Sequence, residues 1–232
     1  MDDAGREQDR GPKVDAVALS RLRDAYREAM FRGAASTAER VIAEAMDAGL
    51  SEAVIGDEII APAMRHVGER WAAGELSVED EHVASGITMR MISLQRDHFR
   101  VQHRRSSHRV LLAAVQGEEH VLGLEMAASV LLHAGYDVRM LGPDVANEAL
   151  AAEVLHHRPA ILGLTTTTRG TADQAAGAIA AARSVAPELA VMVGGGAALH
   201  HLAPTGPHTV TCPHVSDAVS LADALTQRAG LN

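Results

Sequence analysis

Two periods divide the chain. From about Val14 to Gln102 apolar residues recur at helical spacing, and from Arg109 onward short apolar runs alternate with helix-period stretches. The first half predicts four helices. The first runs from about Val14 to Phe31 and ends near Gly33. The second starts at Ser36 or Thr37, whose hydroxyls can cap free amides, and stops at Gly49. The third takes Ser51 as N-cap and carries Ile55, Ile59, Ala63, Val67 and Trp71 at fourfold spacing, roughly on one face. Pro62 should kink this helix rather than end it, and Gly74 closes it. The fourth begins at Ser77, with Asp80 three residues on as in a weak capping box, and reaches about Phe99. Short connections between antiparallel helices predict a bundle.

The second half predicts strands near Arg109–Val115, Val138–Leu141, Ala160–Thr166, Leu189–Gly194 and Thr209–Thr211. Helices are expected between them at about Val121–Ala134, Asn147–His156, Thr171–Ala186 and Gly196–Leu202, with a last one over Ser216–Ala229. Apolar strands separated by helices imply a parallel sheet covered on both faces. The expected organisation is a polar, disordered leader over 1–13, an all-α four-helix bundle over 14–102 and a linker over 103–107. Residues 108–232 should form an α/β domain, a doubly wound parallel five-stranded sheet of the flavodoxin or Rossmann-like kind.

Composition narrows the function classes. Aromatic residues make up only 2%, so Ala, Val, Leu and Met must fill the core, and Trp71, the single tryptophan, stands out. A formal net charge of −9 argues against a nucleic-acid partner. The basic run from Arg96 to Arg109 then reads as a solvated interdomain linker rather than a nucleic-acid patch. Cys212 is the only cysteine, which excludes an internal disulfide and a cysteine-based metal site. No apolar run approaches the length of a membrane span, and no signal-peptide pattern opens the chain, so a cytoplasmic location is expected.

The candidate chemistry lies after the first strand, in Gln116-Gly117-Glu118-Glu119-His120-Val121-Leu122-Gly123. A strand-to-helix turn in such a sheet opens onto the carboxyl edge, where ligands collect. His120 reads either as a metal ligand or as an ordinary polar turn residue. Glu118 reads as its hydrogen-bond partner or as a helix N-terminal acid favoured by the macrodipole. A second stretch runs from Trp71 through Val78 to Glu81-His82. Taken plainly, Trp71 is core at a helix end and Glu81-His82 are first-turn polar residues. The other histidines, including His156-His157 and His200-His201, read as surface residues.

Glu118-x-His120-x-x-Gly123 resembles the Asp/Glu-x-His-x-x-Gly signature of cobalamin-binding domains. Gly135-Tyr136-Asp137-Val138 and Leu141-Gly142-Pro143-Asp144 follow in that family's order. The family's Ser-x-Leu and Gly-Gly motifs match Thr165-Thr166-Thr167 and Gly194-Gly195-Gly196, with Thr167 departing from Leu. The resemblance implies His120 as lower axial ligand to cobalt, Glu118 behind it, and Gly123, Thr165, Thr167, Gly194 and Gly195 around the nucleotide tail.

Trp71-x9-Glu81-His82, with Val78, resembles the upper-face cap of CarH/LitR-type photoreceptors. That similarity implies adenosylcobalamin held between bundle and sheet domain by Trp71, Val78, Glu81 and His82. It further implies a light sensor rather than an enzyme, in which light cleaves the Co–C bond and changes conformation. The output would be a homo-oligomer, a dimer before a tetramer, or a regulatory protein partner that the sequence does not identify. Some members of the group carry a bilin as second chromophore, a point on which the sequence is silent. Two features depart from the prototype: Ala72 follows Trp71 where a histidine is usual, and the polar stretch over 1–13 is too short for the expected DNA-binding domain. The alternative reading is a corrinoid methyl-carrier subunit of a methyltransferase, and a third is a flavodoxin-like domain for another ligand.

Overall fold

The computed structural model describes residues 15–99 and 108–228. The expected leader at 1–13 and linker at 103–107 lie outside them. Packing divides the chain into two units, Met1–Met91 and Ile92–Asn232, and the division falls within one helix.

The helical unit contains α1 (Ala16–Phe31), α2 (Ala35–Asp47), α3 (Glu52–Ile55), a π turn (Gly56–Ile60), α4 (Ala61–Ala72) and most of α5 (Val78–His98). Since α3, the π turn and α4 run on as one rod, this is the four-helix bundle that the pattern predicts. Its core is Leu22, Tyr26, Ile42, Ile55, Ile59, Ile60, Val67 and Met91, all buried. Inside it Tyr26 Oη lies 3.1 Å from Thr88 Oγ1, and burial pushes the phenol up to about 12.

Local chemistry explains most helix ends. Ser51 Oγ accepts from Val54 N–H at 3.3 Å. At Ser77 both halves of the capping box form: Asp80 N–H donates to Ser77 Oγ at 3.1 Å, and Ser77 N–H donates to the Asp80 carboxylate at 2.9 Å. The expected cap at Ser36 or Thr37 is not used. α2 starts at Ala35 with Ala34 as an uncapped N-cap, because the left-handed Gly33 (φ +60) turns the chain straight into it. Pro62 does not end its helix. It cannot donate to the Glu58 carbonyl, and Arg23 Nε takes that carbonyl instead at 2.6 Å, while the preceding turn widens to π geometry.

One expectation fails. Ile55, Ile59, Ala63 and Val67 are buried, but Trp71 is 47% exposed. Residues four apart drift by about 40° per step on a helix of 3.6 residues per turn, so the fifth member has rotated away from the core. Trp71 is not a core residue.

The second unit alternates strand and helix. In order come β1 (Arg109–Ala114), α6 (Leu122–His133), β2 (Asp137–Met140), α7 (Asn147–His157), β3 (Ile161–Thr165), α8 (Arg169–Val185), β4 (Ala190–Gly194), α9 (Gly196–Leu199), β5 (Thr209–Cys212) and α10 (Ala218–Arg228). All pairings are parallel, in the order β2-β1-β3-β4-β5, the flavodoxin-like arrangement. On one face Leu111, Leu162, Leu164, Val191 and Val193 pack with Leu150, Val154, Ala175 and Ile179 of α7 and α8. α9 is shorter than the pattern predicts, and α8 starts earlier, at Arg169. The last helix is preceded by a 3-10 turn, Val215–Asp217.

The basic run is not one solvated linker. Arg96 lies in α5 and pairs with Glu125 of α6 at 2.8 Å, and His133 Nε2 lies 3.1 Å from the Arg96 carbonyl. Among the described residues no helix is long and apolar enough to cross a membrane.

Candidate cofactor-binding site

The order β2-β1-β3 means that the chain leaves β1 and β3 in opposite directions, which opens a crevice at the carboxyl edge between them. The turn after β1 lines one side. Glu118 N–H donates to the Val115 carbonyl at 2.9 Å, and Gly117 (φ +79) occupies the left-handed position that this turn requires. Glu118 points inward and is 1% exposed. His120 points out, with 64% of its side chain exposed.

Glu118 is fully engaged. Its Oε1 accepts from His120 N–H at 3.0 Å and lies 2.6 Å from His120 Nδ1. Its Oε2 accepts from Thr167 N–H at 2.5 Å and from Thr171 Oγ1 at 2.8 Å. Burial alone would push the carboxyl up. The hydrogen bonds from the His120 ring and backbone, Thr171 and Thr167 outweigh it and hold the group down at about 2. An ionised carboxylate only accepts, so Nδ1 carries a proton, and in the neutral imidazole the lone pair is on Nε2. That is the tautomer a metal ligand needs, held by a carboxylate behind it.

Among the described residues no three His, Cys, Asp or Glu side chains gather as a metal site. His120 therefore offers one ligand, and a metal held there brings its other ligands with it, as the cobalt of a corrin does. Space is available: a Cβ on Gly117, Gly123 or Gly142 would meet nothing within 4 Å. The residues present fit a corrinoid on both counts.

The structure brings most of the expected site residues to this edge. Thr165 ends β3 and is buried, and Thr167 meets Glu118. Gly194 ends β4, and Gly123 lies in the first turn of α6. Gly195 has a reason closer at hand than a ligand. At φ +89, a Cβ there would come within 2.5 Å of the Thr166 carbonyl and 2.7 Å of Thr165 Oγ1.

Trp71 lies in the last turn of α4 in the helical unit, and Val78, Glu81 and His82 open α5. Trp71 and Val78 are 47% and 44% exposed. Glu81 Oε1 accepts from Ser85 Oγ at 2.5 Å, and His82 Nε2 lies 3.8 Å from the Glu81 carboxylate.

Sequence reasoning missed Thr171, and it placed Asp144 in the family pattern without giving it a role. Thr171 also accepts from Thr166 Oγ1 at 2.9 Å and forms a capping box with Thr168 at the start of α8. The Thr168-x-x-Thr171 spacing before a helical run was its visible signal. Asp144 accepts from Gly117 N–H at 2.7 Å.

Comparison with known proteins agrees with this geometry. Residues 108–205 match the model of the B12 binding domain, and residues 22–94 match a second B12 binding domain model. The HTH-type transcriptional repressor CarH of Myxococcus xanthus is 34% identical over 185 residues, covering 78% of this chain and 60% of that protein. The trimethylamine corrinoid protein of Methanosarcina barkeri is 29% identical, covering 56% of this chain and 63% of its own length. The chain thus spans about three fifths of the curated relatives it matches. The monomethylamine corrinoid protein of Methanosarcina barkeri shares the fold, with a TM-score of 0.66 at 17% identity, over 88% of this chain and 97% of that one. With both modules matched in order and the histidine turn formed at the sheet's carboxyl edge, the chain belongs to the B12-binding domain family.

Proposed function

We propose that this chain is a corrinoid carrier, a binding protein rather than an enzyme, in which His120 is the lower axial ligand to cobalt. The Glu118 carboxylate carries the reading. Buried and held low by its donors, it keeps a proton on His120 Nδ1, so that the neutral ring would offer a metal Nε2. Bound cobalamin supplies a cobalt that takes up and gives up an alkyl group on its upper face. The chain's residues hold and orient. Glu118 fixes the ring and raises its basicity, while Thr171 and the Thr167 N–H keep the carboxylate from turning away. In this reading Gly123, Thr165, Gly194 and Gly195 follow the nucleotide tail, and a partner protein meets the upper face.

The carrier reading stands ahead of the light sensor that the Trp71 motif favours. Monomethylamine and trimethylamine corrinoid proteins recur among the curated relatives. Two observations support the sensor as a second reading: an indole and a valine left exposed around the α4–α5 connection, and 34% identity to the CarH repressor. In that reading adenosylcobalamin is the form bound, and Trp71, Val78, Glu81 and His82 face its adenosyl group.

Loading the protein in the dark with methylcobalamin or adenosylcobalamin separates the two. A carrier retains both comparably and keeps its oligomeric size on illumination. A sensor prefers the adenosyl form and changes size in light. The lower ligand is tested by electron paramagnetic resonance of the cob(II)alamin-loaded protein, where labelling the protein with ¹⁵N should turn the axial nitrogen triplet into a doublet. An unchanged triplet sinks both readings.

A further inference from the structure

The turn that presents His120 is gripped from a second loop. Beyond β2 the chain runs through Leu141-Gly142-Pro143-Asp144 beside the end of β1. There the Gly142 carbonyl accepts from Ala114 N–H at 2.9 Å, and Val145 N–H donates to the Ala114 carbonyl at 3.1 Å. Between these contacts Asp144 has φ +48, a left-handed conformation uncommon for a residue with a side chain and tolerated best by Asn and Asp. In that conformation it makes two contacts with the neighbouring turn. Its carboxylate accepts from Gly117 N–H at 2.7 Å, and its own N–H donates to the Glu118 carbonyl at 2.9 Å.

We propose that Asp144 is a positioning residue for the metal-binding turn, acting on His120 through the backbone of Gly117 and Glu118. The inference rests on the reading of His120 as cobalt ligand. Glu118 is then held at both ends. Thr167 and Thr171, after β3, grip its carboxylate, and Asp144, after β2, grips its main chain. Thr171 and Thr167 fix which way the carboxylate faces. Asp144 fixes where the turn that bears it lies. An aspartate in the left-handed region meets both demands, conformation and acceptor. Glycine would adopt the backbone but lose the acceptor, and alanine would lose the acceptor and strain the backbone. Asparagine keeps both the conformation and an acceptor oxygen.

The side chain of Asp144 is exposed, so its replacement spares the core. The test compares Asp144→Ala, Asp144→Gly, Asp144→Asn and His120→Ala, each loaded with cob(II)alamin. Denaturant midpoints of the apo proteins check folding. Asp144→Ala and Asp144→Gly should each weaken retention about tenfold, the size of a supporting contact to a metal ligand. Both should broaden the protein-nitrogen doublet in the ¹⁵N-labelled sample, and Asp144→Asn should restore retention and doublet. Three results overturn the inference: wild-type retention and doublet in Asp144→Ala, full recovery in Asp144→Gly, or an Asp144→Asn protein as weak as Asp144→Ala. A His120→Ala protein that still shows the doublet removes the underlying reading itself. If only His120→Ala disturbs the doublet, that reading stands and the role of Asp144 falls.

Discussion

The two clusters of candidate residues are built in opposite ways. Around His120 the decisive group is hidden: Glu118 is 1% exposed, and its partners Thr167 and Thr171 come from a distant part of the chain. Around Trp71 the decisive groups are at the surface, and the hydrogen bonds are local, within one turn of α5 or across the α4–α5 connection. A group held by long-range contacts inside a close-packed domain has one geometry before any ligand arrives. An exposed indole on a helix end keeps its rotamers until something covers it. The turn that bears His120 is therefore preorganised, whereas the residues around Trp71 keep room to adapt.

The largest effect that this contrast predicts is on His120. Replacing it with alanine should lower cobalamin retention by more than about a hundredfold, beyond the range for supporting contacts, while the denaturant midpoint of the apo protein stays near wild type. Equilibrium dialysis of both proteins is the check. Next comes Glu118→Gln, expected to cost about 10- to 100-fold in retention. It should also lower apo stability by roughly 1–3 kcal/mol, because an amide nitrogen would face donors where an oxygen now accepts. Stability unchanged by this substitution would mean that the buried network is looser than its geometry.

An alkaline titration compares the two units directly, since each holds one of the two tyrosines. Burial pushes Tyr26 up to about 12; burial and the hydrogen bond to Asp223 do the same for Tyr136. A phenol whose folded value is raised contributes stability fully below its unfolded value of 10.0, and that contribution is lost as pH rises towards 12. Tyrosinate absorbance should therefore appear late in the folded protein and near its ordinary value in urea. If half of it appears early, one unit has opened before the other, and Tyr26→Phe tells which.

The smallest effect on stability should come from Trp71→Ala. For a side chain this exposed a change within about 0.5 kcal/mol is expected. If the sensor reading holds, the same variant loses any preference for adenosylcobalamin over methylcobalamin. A cost of several kcal/mol would show instead that Trp71 is part of the bundle's core.

Much of this was legible in the chain. The alternation of apolar runs gave the sheet, Ser51 and Ser77-x-x-Asp80 gave two helix starts, and Glu118-x-His120 gave the hydrogen-bonded pair after β1. Local pattern could mark Thr171 only as a helix-capping residue, because its contact with Glu118 needs the pairing of β1 with β3. Nor could it give Asp144 its role, which needs β2 beside β1 and a backbone angle that sequence leaves open. Trp71 misled for another reason. Fourfold spacing imitates a helix face over two or three steps and parts from it by the fifth.

The contacts of Glu118 also set an order in time. As the chain leaves the ribosome, Glu118 and His120 emerge long before Thr167 and Thr171, and the acid has no side-chain partner across the sheet until β3 has docked beside β1. Contacts this far apart in sequence form late and slowly. A nascent chain halted after Met140 would carry the histidine yet hold little corrinoid, and release of the rest would complete the site in one step. Cofactor capture would then report that the third strand is home.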